Sequence, residues 1–367
     1  MVRLDSHALA LNGLCPYFTM FPLSFPLSVL ASHAERGDEV LDPFCGRGTT
    51  NYAARLLGLG SVGVDASPVA AAITAAKLVA IEPAAVVAEA RRILQSEPPI
   101  AVPESEFWQW AFHRDVLADL CRLRAALLRG CTSPARLALR GLLLGALHGP
   151  QQRTFPSYFS NQCPRTYAPK PDYAVRYWRA HGLRAQRVNV LAIIERRAER
   201  YFAHGLSAPG QARLADSRSP AALRPRAPRR RFRWIITSPP YYGMRTYVAD
   251  QWLRYWFLGG PDAVDYSHGE QIGHGSPEAF AEDLRKVWKN VAGVSVGDAR
   301  LVVRFGGIAD RAADPLTILK ESLRDSGWRI QTVRPAGTAH GGKRQADTFL
   351  RDSSKPRTEY DVWARRA

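Results

Sequence analysis

Short apolar runs alternate with stretches of helical spacing in two separate parts of the chain. Residues 39–41 and 61–65 read as two strands, each followed by a helical stretch that ends near residue 57 or 78. The same alternation returns after residue 211, where residues 359–363 are predicted to form a closing edge strand. Strands alternating with helices predict an α/β fold, a doubly wound and mostly parallel sheet with helices on both faces.

The stretch between these two parts has a different character. Residues 84–210 are rich in arginine and aromatic residues and show helical spacing, including one long helix predicted over 173–204. The loop 148–172 carries Arg, Asn, Gln and Lys, whose side chains can read base edges or grip phosphates. A purely structural lid is the alternative for this loop. We therefore expect an inserted helical subdomain between two halves of one sheet.

The net charge of the chain indicates which kind of molecule it binds. The chain has 367 residues, and 50 Lys and Arg against 33 Asp and Glu give a net charge of +17. Such an excess favours a polyanionic partner, nucleic acid ahead of a membrane surface, although a solvated basic surface is the alternative. Six of the arginines fall within residues 224–233, where they would suit a DNA backbone or form a solvated loop.

Cysteine content and hydropathy argue against a disulfide-rich, metal-binding, membrane-spanning or secreted protein. The five cysteines form no C-x-x-C pair, so we expect neither a disulfide scaffold nor a metal site. No apolar stretch is long enough to span a membrane, and the N-terminus lacks the layout of a signal peptide. We accordingly expect a cytoplasmic protein without a membrane partner.

The first strand leads into a glycine-bearing turn. Residues 42–50 read Asp-Pro-Phe-Cys-Gly-Arg-Gly-Thr-Thr, and a helical run follows. Gly46 and Gly48 would let the backbone approach a ligand, while the helix N-terminus offers free N–H groups. Asp65 ends the second strand, where an acid would hold a ribose diol; a helix-capping role is the alternative.

A second unusual turn follows the apolar residues 234–236. It reads Thr-Ser-Pro-Pro-Tyr-Tyr-Gly over residues 237–243. Each proline fixes φ and removes an N–H, so the strand must end in a rigid turn whose carbonyl groups are left for another partner. An ordinary proline-rich turn is the alternative. A ligand that is flat and carries an amine would suit such a turn.

Together these motifs resemble the amino-directed DNA methyltransferases that use S-adenosylmethionine. The resemblance covers roughly 13–80 and 211–363, with residues 42–50 matching the family's cofactor loop and 237–241 its catalytic motif. It implies a Rossmann-like methyltransferase core divided into a cofactor-binding half (1–83), a helical insertion that is a candidate target-recognition element (84–210) and a catalytic half (211–367). The residues implied to bind the cofactor are Thr19, Asp42, Phe44, Cys45, Gly46, Gly48, Thr49, Asp65 and Asp216, and those implied to be catalytic are Ser238, Pro239, Pro240 and Tyr241.

The resemblance also implies a chemistry. Ser238 Oγ and the Pro239 carbonyl would bind the exocyclic amine of a base that is flipped out of double-stranded DNA, and Tyr241 would stack on it. Methylation at cytosine C5 would instead need a thiolate, which the related family presents as Pro-Cys, and no cysteine here follows a proline. Serine at position 238 resembles the N4-cytosine branch more than the N6-adenine branch. A cognate restriction endonuclease is a further partner of many such enzymes, and the sequence leaves it open.

Two other functions are compatible with the sequence. The same catalytic turn could serve methylation of a base amine in RNA. A nucleic-acid-binding protein built on a decayed methyltransferase core is the non-enzymatic alternative, which the intact glycines, Asp65 and the complete turn disfavour.

Overall fold

The computed structural model describes residues 9–17, 21–149, 156–163, 170–203, 208–227, 230–243, 248–264, 275–307, 313–338 and 358–367. The strands are β1 (Glu39–Asp42), β2 (Gly60–Asp65), β3 (Gly210–Leu214), β4 (Phe232–Thr237), β5 (Ser295–Gly306), β6 (Trp328–Thr338) and β7 (Thr358–Arg366). The helices are α1 (Ser24–His33), α2 (Thr49–Leu56), α3 (Pro68–Leu78), α4 (Pro83–Ser96), α5 (Glu106–Ala111), α6 (Arg114–Arg129), α7 (Pro134–Ala146), α8 (Pro171–Ala180), α9 (Val190–Phe202), α10 (Val248–Phe257), α11 (Pro277–Val294) and α12 (Pro315–Leu323).

All seven of these strands belong to one sheet, in the order β3-β2-β1-β4-β5-β7-β6. The pairs from β3 to β5 are parallel, and β7 runs antiparallel between β5 and β6. This order confirms the predicted Rossmann-like, mostly parallel α/β fold. The expected edge position of residues 359–363 is wrong, because β7 bonds to a strand on each side. The order reverses at β1, so the carboxyl ends of β1 and β4 meet where α/β proteins bind ligands.

Helices cover both faces of the sheet, as predicted. On one face, α1 and α2 pack on apolar side chains of the central strands, including Val40 and Ile236. On the other face, α11 and α12 pack on the alternate side chains, including Leu41 and Ile235. Neighbouring residues of a strand point to opposite faces, which is why consecutive residues of β1 and β4 divide between the two cores.

The helices from α4 to α9 form a further layer outside α3. Their buried side chains share one core with α3 and α10, and none of the buried members of that core is a strand residue. This layer therefore touches the sheet through α3 and not directly. Gly141 and Gly145 of α7 permit the close approach, because an added Cβ would lie 2.2 Å from Ala76 and 2.1 Å from the Leu14 carbonyl oxygen.

The single helix predicted over 173–204 is two helices. Gly182 has a φ of 61°, a left-handed conformation that ends α8. Residues 183–189 are irregular, and Asn189 then caps α9 by accepting a hydrogen bond from the Ala192 N–H at 3.0 Å. The helical spacing of apolar residues across this break concealed it in the sequence. Across the described ranges, no helix is long and apolar enough to cross a membrane.

Candidate active site

The glycine turn after β1 has the conformation that its sequence predicted. Gly46 and Gly48 have φ angles of 51° and 74°, and Gly48 directly precedes α2. A Cβ on Gly48 would lie 2.7 Å from the Thr74 hydroxyl oxygen, and that hydroxyl donates to the Gly46 carbonyl at 3.0 Å. Cys45 and Thr49 are buried beside the turn. The turn is thus held in place by Thr74 of α3. The first N–H groups of α2 have no partner within their own helix, so they remain available to a ligand at this turn.

Asp65 at the end of β2 faces this turn. One carboxylate oxygen accepts the Gly46 N–H at 2.8 Å, and the other accepts the Ser67 N–H at 2.9 Å. Burial raises the pKa of this carboxyl, and the two N–H donors oppose that rise. Each oxygen has a second lone pair, so the carboxylate can still accept hydrogen bonds from a diol.

The N-terminal segment lies over the same turn. A Cβ on Gly46 would be 3.9 Å from Tyr17 Cε1, and the pKa of the Tyr17 hydroxyl is raised by burial and by the nearby Asp65. The Ser67 hydroxyl lies 3.2 Å from the Tyr255 hydroxyl of α10. Thr19, expected to bind the cofactor, lies outside the described residues.

Asp216 follows β3 next to Asp65, whose backbone oxygen accepts the Ala215 N–H at 3.0 Å. The Asp216 carboxylate is exposed and pairs with Arg218 at 2.6 Å, which lowers its pKa. Ser217 ties this segment to the glycine turn by donating to the Pro43 carbonyl at 2.6 Å. The structure therefore brings Asp216 to the rim of the same site, where its carboxylate is already paired with Arg218.

Two hydrogen bonds join the glycine turn to the end of β4. The Thr237 hydroxyl donates to Asp42 Oδ1 at 2.6 Å, and the Thr50 hydroxyl donates to the Ile236 carbonyl at 3.1 Å. Both lie in the buried centre of the sheet. Asp42, expected to bind the cofactor, thus holds the residue just before Ser238. The two motifs that are 195 residues apart in the chain are one rigid unit in the fold.

The proline turn leaves polar groups free directly after β4. Ser238 is half-buried, and its hydroxyl makes no hydrogen bond within the described part of the chain; nor does the Pro239 carbonyl. Neither proline has an N–H with which to close the turn on itself. One hydroxyl and one carbonyl at the carboxyl end of the sheet are therefore available to a ligand.

Tyr241 is held by a residue that the sequence did not single out. Its hydroxyl donates to Glu359 Oε1 at 2.8 Å, and its ring packs edge-on against Phe305 with centroids 5.4 Å apart. Glu359 is buried on β7 opposite Gly306 of β5. A Cβ on Gly306 would lie 3.2 Å from the Tyr241 ring. Tyr241 is therefore fixed at both its edge and its hydroxyl.

Burial raises the pKa of Asp42 to about 7, against hydrogen bonds from Thr237, Thr50 and the Phe44 N–H that lower it. The folded chain then binds more protons than the unfolded chain between about pH 4 and pH 7, so this group makes the fold less stable as pH rises through that window.

Asp42→Asn should remove this dependence. We expect the variant to gain stability relative to wild type between pH 4.5 and 7.5, by up to about 4 kcal/mol for a shift of about three pKa units. The measurement is the difference in Tm between the two proteins across that pH range. A constant difference would show that Asp42 does not titrate there.

Three basic side chains lie around Cys15 next to the glycine turn; Lys77 and Arg254 are buried, and Arg47 is half-buried. Arg47, Lys77 and Arg254 all act electrostatically on the Cys15 thiol, and none forms an ion pair within the described residues. Lys77 donates to Asn12 at 3.1 Å, while Arg47 Nε and Arg254 Nη2 are buried without a partner. Burial lowers the pKa of Arg47 to about 10, and burial together with repulsion from Arg47 holds the pKa of Lys77 well below its usual value. Unpaired buried charge is costly, so this region suits an anion.

The arginine-rich stretch 224–233 lies elsewhere. Arg226 and Arg230 pair with the buried Glu39 at 2.6 and 2.8 Å, and Arg233 pairs with Asp38 at 3.0 Å. Glu39 begins β1, so these ion pairs sit at the amino ends of the strands, opposite the proline turn. The stretch is thus held by carboxylates of its own chain.

Sequence reasoning missed Glu359 and the three cations. Arg47 stands inside the glycine motif itself, and Lys77 is the lone charged residue of the Ala-rich helix α3, so both carried a signal. Glu359 and Arg254 carried none, because only the fold brings them to the site. No cluster of three or more metal-ligating side chains occurs within the residues described.

Comparison with known proteins gives one family match and one local relative. Residues 6–76 match the family model of N6/N4 DNA methylases, a range that spans the N-terminal segment, the glycine turn and Asp65. A stretch of 34 residues is 50% identical to the type II methyltransferase M.BsoBI of Geobacillus stearothermophilus, over 9% of this chain and 7% of that protein. The sequence likeness to that enzyme is therefore local.

Two solved structures are similar across most of the chain. The rRNA methyltransferase AviRa of Streptomyces viridochromogenes is 15% identical with a TM-score of 0.39, over 99% of this chain and 94% of its own. A geranyl diphosphate methyltransferase is 10% identical with a TM-score of 0.34, over 94% and 78%. Likeness at this level does not bear on substrate. The family match over residues 6–76 and the local relative link the chain to DNA methylases that act on base amines, and they do not distinguish cytosine N4 from adenine N6.

Proposed function

We propose that this chain is a site-specific DNA methyltransferase that methylates the exocyclic N4 amine of a flipped cytosine. The observation that carries the proposal is the pair of free acceptors, Ser238 Oγ and the Pro239 carbonyl, at the carboxyl end of β4. The Thr237–Asp42 hydrogen bond fixes them relative to the glycine turn. Two acceptors beside a nucleotide-type turn fit an amine that carries two hydrogens.

The residues around the glycine turn fit S-adenosylmethionine. Gly46 and Gly48 leave room for a ligand, and Asp65 and Asp216 can accept from its ribose and adenine. Arg47, Lys77 and Arg254 form a buried cationic region that its carboxylate would neutralise. Phe44, Cys45 and Thr49 shape the turn, and we expect Thr19 to lie at the methionine end. When bound, the cofactor supplies a methyl group on a positively charged sulfur.

The chain's own residues prepare the amine. Its nitrogen is a poor nucleophile because the lone pair is delocalised into the base. Hydrogen bonds from its two N–H groups to Ser238 Oγ and the Pro239 carbonyl favour a pyramidal nitrogen with a localised lone pair. Positioning and electrostatic stabilisation then account for most of the lowering of the reaction barrier, and the rigid turn contributes to both. The methylated nitrogen is positively charged and acidic, so its proton can leave to water afterwards.

Tyr241 would form one wall of the base site. Its ring is fixed by Phe305 and Glu359, so stacking on a base would need no reordering of the side chain. We assign Glu359 as a positioning residue for this wall. Pro240 keeps the turn extended between Pro239 and Tyr241.

The choice of cytosine rests on position 238. Serine is shorter than the Asp or Asn that the adenine branch carries there, and N6-adenine methylation remains the alternative product. Methylation of a base amine in RNA is the second alternative. Residues 84–210 are our proposed target-recognition element, since they form a separate basic layer beside the turn. A cytoplasmic, DNA-associated location fits the same proposal, and whether the chain works with a cognate endonuclease stays open.

The test is transfer of a labelled methyl group from S-adenosylmethionine to duplex DNA, followed by digestion to nucleosides. We expect the label in N4-methylcytosine. Label in N6-methyladenine would contradict the base assignment, and label only on RNA would contradict the substrate class. Absence of transfer, with the cofactor bound, would contradict the activity itself.

A further inference from the structure

A basic surface with interleaved aromatic residues runs along α8 into the turn that follows. Tyr173, Arg176, Tyr177 and His181 have exposed or half-exposed side chains on one side of α8, and Arg184 is exposed in the turn that follows; we name these five residues the α8 face. Their spacing of three or four residues over 173–181 places them on one stripe of a helix. Residues 170–203 hold eight Lys and Arg against three acidic residues.

The aromatic residues of the α8 face are stacked on each other. The rings of Tyr173 and Tyr177 have centroids 6.3 Å apart, and those of Tyr177 and His181 lie 4.2 Å apart. Tyr177 thus has a ring neighbour one helical turn before it and another one turn after it, and its hydroxyl is the group that can bind a phosphate. Tyr173 is 51% exposed, which is unusual for a large aromatic side chain. Tyrosine hydroxyls in such a row suit phosphate oxygens better than bases.

The arginines of the α8 face differ from the neighbouring arginines because neither forms an ion pair with an acidic side chain in the described residues. Arg176 forms no side-chain hydrogen bond or ion pair in the described ranges, and Arg184 stacks on Trp110 at 3.8 Å. By contrast, Arg179 pairs with Glu106, and Arg187 pairs with Asp115 at 2.9 Å. Asn161 donates to the Trp110 and Leu183 carbonyls at 3.3 and 3.0 Å, which holds the turn against α5. Two guanidinium groups are thus presented from a fixed platform.

A short chain of contacts links the α8 face to the proposed active site. The ring of Trp178, on the buried side of α8, lies 6.5 Å from that of His148. Arg254 donates to the Leu144 carbonyl at 3.2 Å, one helical turn before His148, and burial together with the charge of Arg254 lowers the pKa of His148 to about 3. Arg254 in turn donates to the Pro16 carbonyl at 2.8 Å, beside the cofactor region. The face therefore lies on the part of the helical layer that adjoins the site.

From these observations we infer that the α8 face binds the phosphate backbone of duplex DNA next to the target base. This inference rests on the proposed function and names the surface that holds its substrate. Arg176 and Arg184 contact phosphates, and the tyrosine hydroxyls donate to the same strand. The contacts are independent of sequence, so they position the duplex and do not select the base.

The test compares wild type with Arg176→Gln/Arg184→Gln in binding a labelled duplex of about 30 base pairs, roughly three helical turns, by anisotropy. Titrations run between about 50 and 200 mM salt. Loss of two phosphate contacts should reduce the slope of log K against log salt by about two and weaken binding at least about 10-fold. The matched control is Arg329→Gln, an exposed arginine on the edge strand β6, which should bind as wild type does.

Two further readouts separate this inference from the proposed function. The double variant should bind S-adenosylhomocysteine normally and give the wild-type methylated nucleoside at saturating DNA. An unchanged salt slope would overturn the inference while leaving the activity intact. Tighter binding of a structured RNA than of the duplex would overturn the choice of partner. A wild-type protein that binds DNA through this face without methylating it would contradict the proposed function alone.

Discussion

Ser238→Ala is expected to lower the rate of methyl transfer at least about 100-fold, since it removes one of two acceptors for the amine hydrogens. The serine hydroxyl makes no hydrogen bond within the described chain, so its loss should leave the fold intact. Cofactor binding should stay within about twofold, because the serine lies beyond the glycine turn. The measurements are single-turnover transfer to duplex DNA and calorimetric binding of S-adenosylhomocysteine.

The matched control is Ser219→Ala. Ser219 is exposed after β3, and its side chain makes no hydrogen bond within the described residues, so transfer should be unchanged. If Ser238→Ala lost cofactor binding in parallel with transfer, the proposed division between an amine site and a cofactor site would be wrong. Full activity of the variant would remove Ser238 from the mechanism.

The parts of this fold that could be predicted are those fixed by local physics. The left-handed glycines at 46 and 48, the serine cap at Ser67 and the short apolar strands each follow from a few neighbouring residues. These features determine the parallel core and the glycine turn. They also explain why the two motifs could be recognised without knowing how the strands pair.

The parts that could not be predicted depend on partners distant in the chain. The position of β7 is set by bonds to β5 and β6, which no local pattern encodes. Glu359 reaches Tyr241 across 118 residues, and the stretch 224–233 finds its acids at Glu39 and Asp38. Charge density left both DNA contact and a solvated loop open for that stretch, whereas burial of Glu39 requires that cations lie beside it.

Arg47, Lys77 and Arg254 lie where the carboxylate of the cofactor is expected to bind. Arg47 lies between the two glycines of the turn, and its Nε is buried with no hydrogen-bond partner. Lys77 and Arg254 are buried too, with exposures of 0% and 4%. A fold that keeps such groups without an acid is less stable than one that pairs them. A carboxylate brought by the cofactor would supply the missing partner.

Arg47→Met should therefore weaken binding of S-adenosylhomocysteine by about 10- to 100-fold, the range for a hydrogen bond to a charged group. It should leave binding of 5′-methylthioadenosine unchanged, because that nucleoside has no carboxylate. Comparing both ligands on both proteins by calorimetry isolates the arginine–carboxylate interaction from any change in the turn. Equal weakening of the two ligands would mean that Arg47 only shapes the turn. Arg47→Lys keeps the positive charge that attracts the carboxylate but loses the fork of guanidinium donors, so it should recover part of the loss.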